Sequence, residues 1–179
     1  MRKVLFLFGQ LNDDDVEWMI DTGRRQPVPR GDALIRQGVP VDALFILLEG
    51  RLSVLLGRQE REIARLNAGE IVGEMSFVDA RPPSATVRGL EDAIVFAIPK
   101  AVLQAKLDRD QGFAARFYRA LAIYLSTTVR ERHRMLGVGS DVDLDEVQDD
   151  ADELDPNVLD GVYLAGERFD RMVKRVLAA

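Results

Sequence analysis

The residues best suited to chemistry lie in one stretch, 69 to 87, reading Gly69-Glu70-Ile71-Val72-Gly73-Glu74-Met75-Ser76-Phe77-Val78-Asp79-Ala80-Arg81-Pro82-Pro83-Ser84-Ala85-Thr86-Val87. The pattern predicts a short strand, a tight turn at Gly73, one helical turn, a Pro-Pro brake and a second strand. Glycine lets the backbone come close to a ligand. The first turn of a helix aims free N–H groups and a partial positive charge at whatever sits before it. Such a stretch can hold a phosphate, and Glu74 beside it is an acceptor for a sugar hydroxyl. The other reading is a glycine turn and a proline turn joining two strands of any β protein.

Composition narrows the chemistry. The chain has 179 residues, enough for one domain of typical size with some to spare. With 47% hydrophobic and 30% charged residues it has the make-up of a globular protein. There is no cysteine, which excludes disulfides and thiolate chemistry. A single histidine excludes the usual imidazole-rich zinc sites and argues against a metal-dependent β-roll enzyme. A net charge of −6 disfavours nucleic-acid binding, which asks for a basic face. No Ser/His/Asp arrangement or nucleotide-hydrolysing loop is visible, so the reading is non-enzymatic. No stretch approaches the ~20 apolar residues of a membrane span. The apolar start, Val4 to Phe8, is short and soon followed by Asp13-Asp14-Asp15, unlike a signal peptide. A cytoplasmic protein is expected.

The elements that must position residues 69–87 come next. Asn12 or Asp13 can cap a short helix that ends near Gly23, with Val16, Met19 and Ile20 on its apolar side. From residue 26 to 66 the period changes to that of strands, at Leu34-Ile35, Leu44 to Leu48, Leu52 to Val54 and Ile63 to Leu66, punctuated by glycines. Thr86 to Arg88 and Ala93 to Ile98 close the β part. Pro99 opens a helix over Lys100 to Leu107. Asp108 or Asp110 begins the longest helix, to about Met135, with an apolar stripe through Phe113, Phe117, Leu121, Tyr124, Val129 and Leu136. Residues 141–155 hold nine acids and no base, the pattern of a solvated linker. Their Asp-x-Asp-x-Asp start lacks the central glycine and closing glutamate of a calcium loop. From Pro156 onwards Val158, Val162, Phe169, Met172 and Val176 recur at helical spacing, and Gly161 and Gly166 weaken the first half. The domain reading is therefore a unit over 1–136 that includes the long helix about 110–136, an acidic linker 137–155, and an amphipathic helix 156–179.

Gly-Glu-Met-Ser-Phe, then proline, then Ser-Ala-Thr-Val resembles the phosphate-binding cassette of cyclic-nucleotide-binding domains, the β-roll sensors of the catabolite activator protein family. The runs Gly31-Asp32-x-Leu-Ile-x-x-Gly38, Asp42-x-Leu-Phe-Ile and Glu49-Gly50-x-Leu-x-Val are similar to that β-roll as well. The resemblance implies an α+β, mainly β fold: an antiparallel β-roll or jelly roll flanked by an N-terminal helix and a long C-terminal dimerisation helix, plus a terminal helix. It implies that Gly73 and Glu74 meet the ribose, and that Met75, Ser76, Ser84 and Ala85 surround the cyclic phosphate of cAMP or cGMP. Val54, Ile63 and Leu66 would line the pocket, and Ser126, Thr127 or Thr128 on the long helix would reach the base. For these hydroxyls the alternative is bonding back to their own helix. The family's phosphate-binding arginine falls at Pro83, which offers neither charge nor N–H. Either Arg81 swings in, another cation substitutes, or the pocket binds cyclic nucleotide poorly. The likeness covers about residues 5 to 136 and does not extend to a DNA-binding helix-turn-helix. It implies a homodimer through helix 110–136, and a protein partner reached through the tail, with no DNA or membrane contact. The alternative keeps the fold as a nucleotide-independent dimeric interaction module.

Overall fold

In a computed structural model, the structure describes residues 3–79, 81–135 and 156–178. The acidic segment 137–155 lies outside the described residues, as do the side chain of His133 and the end of the long-helix stripe at Leu136.

Two helices lead: α1 (Val4–Gln10) and α2 (Asp13–Thr22). The α2 cap is Asn12, whose side chain accepts from Asp15 N–H at 2.8 Å while Asp15 accepts from Asn12 N–H at 2.9 Å. Eight strands follow in two antiparallel sheets. They are β1 (Arg24–Val28), β2 (Ala33–Ile35), β3 (Ala43–Glu49), β4 (Leu52–Leu56), β5 (Arg61–Leu66), β6 (Ile71–Val72), β7 (Thr86–Gly89) and β8 (Ala93–Pro99). One sheet runs β1-β8-β3-β6 and the other β2-β7-β4-β5. A 3-10 turn, Glu74–Phe77, connects β6 towards β7. Then come α3 (Lys100–Arg109), α4 (Gln111–Met135) and α5 (Pro156–Leu177). The architecture is the α+β, mainly β roll expected from the sequence.

Strands β3 and β8 are continuous apolar runs because both of their faces are buried. Side chains alternate across a strand. Phe45, Leu47, Val95 and Ala97 therefore face the roll interior with Val28, Leu52, Leu66, Val72 and Val87. Leu44, Ile46, Leu48, Phe96 and Ile98 face the helices, among Leu7, Phe8, Met19, Phe113, Phe117 and Phe169. Trp18 is a packing residue, edge-on to Phe113 at 5.5 Å between ring centres.

Three boundaries differ from the sequence reading. The start of the chain holds a helix, α1, not foreseen as one, with Val4, Phe6, Leu7 and Phe8 all buried. Strand β1 carries charge and Pro27, and only Val28 is buried in it; it pairs with β8 along the sheet edge, where a proline is tolerated. Pro99 sits at the N-cap of α3, one position before the first turn. Of Asp108 and Asp110, it is Asp110 whose carboxylate accepts from Phe113 N–H, at 2.9 Å, and caps α4.

The carboxylate of buried Asp15 also joins α2 to α4 through Arg116, at 2.7 Å to Nε and 2.9 Å to Nη2. Asp15 is buried while Arg116 is partly open to water, so losing Asp15 removes the pair and half of the α2 cap but leaves Arg116 able to hydrate. Asp15→Ala is expected to cost about 2 kcal/mol, against about 1 kcal/mol for Asn12→Ala. Urea denaturation of the two variants checks the order, and an equal loss would remove the inter-helix role given to Asp15.

Candidate functional site

Pairing fixes where the cassette starts. Val72 pairs with Phe45 and Ile71 with Ile46, so β6 is pinned to the middle of β3. The chain then turns at Gly73 with φ +90°, in the left-handed region. A Cβ there would stand 2.7 Å from Ala43 O, so both the dihedral and the space require glycine. The 3-10 turn follows, with Ser76 Oγ donating to Gly73 O at 2.7 Å. Phe77 is buried and edge-on to Phe117 of α4, 5.8 Å between centres. Through Phe77 this turn is in direct contact with the long helix.

Glu74 is turned towards the helical layer. The residue is 8% exposed, and its carboxyl feels Lys3, Tyr124 and Glu70. Burial pushes its pKa up from the ordinary value, while its own backbone N–H, the Lys3 ammonium and the Tyr124 hydroxyl pull it back. Lys3 Nζ pairs with Glu70 at 2.9 Å and sits 5.1 Å from the centre of the Tyr124 ring. Val4 N–H donates to Gly69 O at 2.8 Å, which ties the same helix to the strand before the cassette.

The other expected site residues fall as follows. Met75 is exposed and Ser76 half-buried. Arg81 points to solvent with its side chain 89% exposed, and its nearest carboxylate is Asp79 at 3.9 Å. Ser84 is exposed and Ala85 half-buried, while Pro83 O accepts from Gly38 N–H at 2.9 Å and holds the back of the cassette to the β2–β3 turn. Leu66 belongs to the roll interior and Val54 packs against it. Ile63 is exposed on the edge strand β5, outside that interior cluster. On α4, Ser126 is exposed, and Thr127 and Thr128 donate to the carbonyls of Ile123 and Tyr124 at 3.0 Å each. The structure thus brings Gly73 to Ser76, Val54, Leu66 and Val72 around one roll, and leaves Arg81 and Ile63 outward.

Sequence reasoning missed three residues that hold the cassette. Lys100 Nζ donates to Ser76 O at 2.7 Å and lies 5.5 Å from the Phe77 ring centre. Lys3 pairs with Glu70, and Lys3 and Tyr124 both act on Glu74. All three lie in helices or at a helix end far along the chain, and no local spacing signals them.

Residues 25–110 match the family model of the cyclic nucleotide-binding domain. That part of the chain belongs to the cyclic nucleotide-binding domain family. The cyclic AMP receptor protein of Thermus thermophilus is 33% identical over 95 residues, 51% of this chain and 44% of that protein. An uncharacterized NTE family protein of Mycobacterium tuberculosis is 26% identical over 147 residues, 80% of this chain and 25% of that protein. A solved cyclic nucleotide-binding domain from Methylobacillus flagellatus superposes with a TM-score of 0.65 at 22% identity, covering 74% of this chain and 80% of that one, and supports the fold. The chain therefore spans between a quarter and under half the length of these two curated relatives. Among the described residues no helix is long and apolar enough to cross a membrane.

The raised Glu74 pKa gives a pH prediction. A carboxyl that binds its proton more tightly when folded adds stability that is fully present below its unfolded pKa, near 4.5. That stability is lost as pH rises through the raised folded value. Carboxylates such as Asp13 and Asp110, held low by Arg168 and Lys106, act in the opposite sense and only at more acid pH. A melting-temperature series upward from pH 4.5 should fall less for Glu74→Gln than for the parent. Parallel curves would contradict the buried carboxyl.

Proposed function

We propose that the roll is a cyclic nucleotide sensor, for cAMP or cGMP, that works without catalysis. The observation that carries this reading is Gly73, held at positive φ against the Ala43 carbonyl at the head of a 3-10 turn inside a cyclic nucleotide-binding domain. A ligand phosphate would lie against the backbone of Gly73 to Ser76, with Ser84 and Ala85 behind it. Glu74 would turn from the helical layer to the ribose. Val54, Leu66 and, at the rim, Ile63 would pack on sugar and base, and Ser126 or Thr127 would reach the base. Arg81 is the cation of the cassette itself, and its exposed side chain can swing inward. The signal would pass through Phe77 to Phe117 and so to α4, for a protein partner to read through the tail.

The relatives' names support a regulatory role: one is a receptor for cyclic AMP, and another, from Blastocladiella emersonii, is a regulatory subunit of a cAMP-dependent protein kinase, 23% identical over 137 residues. Isothermal titration with cAMP and cGMP tests the reading. Micromolar or tighter binding is expected for one of them, weakened at least about tenfold in Glu74→Ala by loss of a charge-assisted bond. A Glu74→Ala protein that binds as tightly as the parent would overturn the site.

Two observations favour a second reading, a nucleotide-independent module of the same fold. Pro83 stands in the place of the phosphate arginine, and Glu74 is already partnered on the helical side. Absence of heat with either nucleotide, from folded protein, would favour it.

Both readings include a homodimer through α4. Tyr118, Ala122, Leu125 and Val129 recur at spacings of four, three and four, the seam of a coiled coil. With Phe77, Val78 and Leu121, the first three line an apolar groove of about 440 Å³. Tyr118→Glu with Val129→Glu should convert the dimer to monomer in sedimentation equilibrium. A monomeric parent, or a dimer that survives both changes, would rule the seam out.

A further inference from the structure

The C-terminal helix is fastened to the start of the chain by two independent devices. The first is steric. Helix α5 crosses α1 where Gly161 meets Gly9, so closely that a Cβ on Gly161 would stand 3.1 Å from Gly9 O. The second is electrostatic. Arg168 is buried and donates from Nη1 to Phe8 O and to Leu11 O, 2.7 Å each, and from Nε to Asp13 Oδ1 at 2.8 Å. It thus satisfies one of the last carbonyls of α1, which the helix itself leaves unpaired, and the carbonyl of its C-cap residue Leu11. Arg171 and Arg175 extend the contact along α2 to Asp13, Glu17 and Asp21.

The other end of α1 is fastened to the cassette. Lys3 reaches Glu70 and Tyr124 beside the Glu74 carboxyl, and Val4 N–H bonds Gly69 O. One short helix of seven residues therefore has the tail at its C-terminal end and the cassette at its N-terminal end. A helix this short, capped at neither end by its own side chains, has little stability apart from these contacts.

We propose that α5 is a clasp that acts through α1 on the cassette: while docked, it keeps Lys3 in place and Glu74 in the helical layer, and so opposes nucleotide binding. This rests on the reading that Glu74 must leave that layer to hold the ribose. Coupling is reciprocal, so bound nucleotide weakens α5 docking by the factor by which docking weakens nucleotide.

The test uses the full chain, with cAMP and cGMP as probes. Arg168→Ala removes the buried part of the electrostatic fastening, and Gly161→Leu drives the helices apart without changing charge. Hydrogen exchange of α5 amides confirms release in each variant. Both are expected to bind nucleotide about five- to tenfold more tightly than the parent, at the lower end of ordinary allosteric coupling. Lys3→Met should do the same, and combining it with Arg168→Ala should add little, since both act on one path. Added nucleotide should quicken α5 exchange in the parent. Unchanged affinity in both released variants of a nucleotide-binding parent would overturn the clasp and leave the sensor reading intact. No binding by parent or variants would overturn both. The mechanical link has its own readout without ligand: Lys3→Met should quicken α5 exchange, and unaltered exchange would sever the path through α1.

Discussion

Strands β3 and β8 carry two hydrophobic cores back to back. Phe45, Leu47, Val95 and Ala97 fill the roll, while Leu44, Ile46, Phe96 and Ile98 support the helices. A slip of one residue would exchange every side chain between the two cores, so the register of this pair is strongly held. Gly50 makes the turn after β3 possible: its φ is +82°, and a Cβ would stand 2.5 Å from Asp92 O. Because β6 pairs with β3, the same register decides that Val72 faces inward, that Ile71 faces the helices, and that Gly73 lies against Ala43.

The cassette consequently lies on the border between the cores. Phe77 is packed in the helical one, and Val72 in the roll. Glu74 stands between them, and its carboxyl is costly to keep charged away from water. Lys3 and Tyr124 offset that cost on the helical side; a ribose hydroxyl would offset it on the roll side. In the proposed sensor, a buried acid with these two sets of partners would be a two-state element, and the helices that carry one set would be biased by whichever state it takes. In the proposed site, Pro83 would offer a cyclic phosphate neither charge nor N–H.

The sequence made much of this legible, because the signals were local. Gly73 before Glu-Met-Ser-Phe marked the turn, the glycines at 31, 38 and 50 marked the hairpins, and the pair Asp108 and Asp110 bracketed the start of α4. Strand β1 was not legible, since Arg24-Arg25-Gln26-Pro27-Val28 buries only its last residue and is a strand by virtue of β8. Helix α1 was not legible either: it has no side-chain cap and is apolar nearly all round, so no amphipathic period shows. Gly161 was expected to weaken its helix, yet it permits the close crossing with Gly9. The orientation of Glu74 depends on Lys3 and Tyr124, which only the tertiary fold brings to it. Local pattern fixes an element; it says nothing of a partner supplied from the far end of the chain.

The most direct test of a working cassette is residue-resolved. Backbone amide resonances of the folded protein can be followed by NMR as cAMP or cGMP is added. If the roll is a sensor, the amides of Gly73 to Phe77 and of Ser84 to Thr86 should shift first and furthest, with those of Lys3 and Tyr124 moving at the same ligand concentration. Resonances that stay in place at millimolar nucleotide, or shifts confined to other surfaces, would contradict a nucleotide site in the roll.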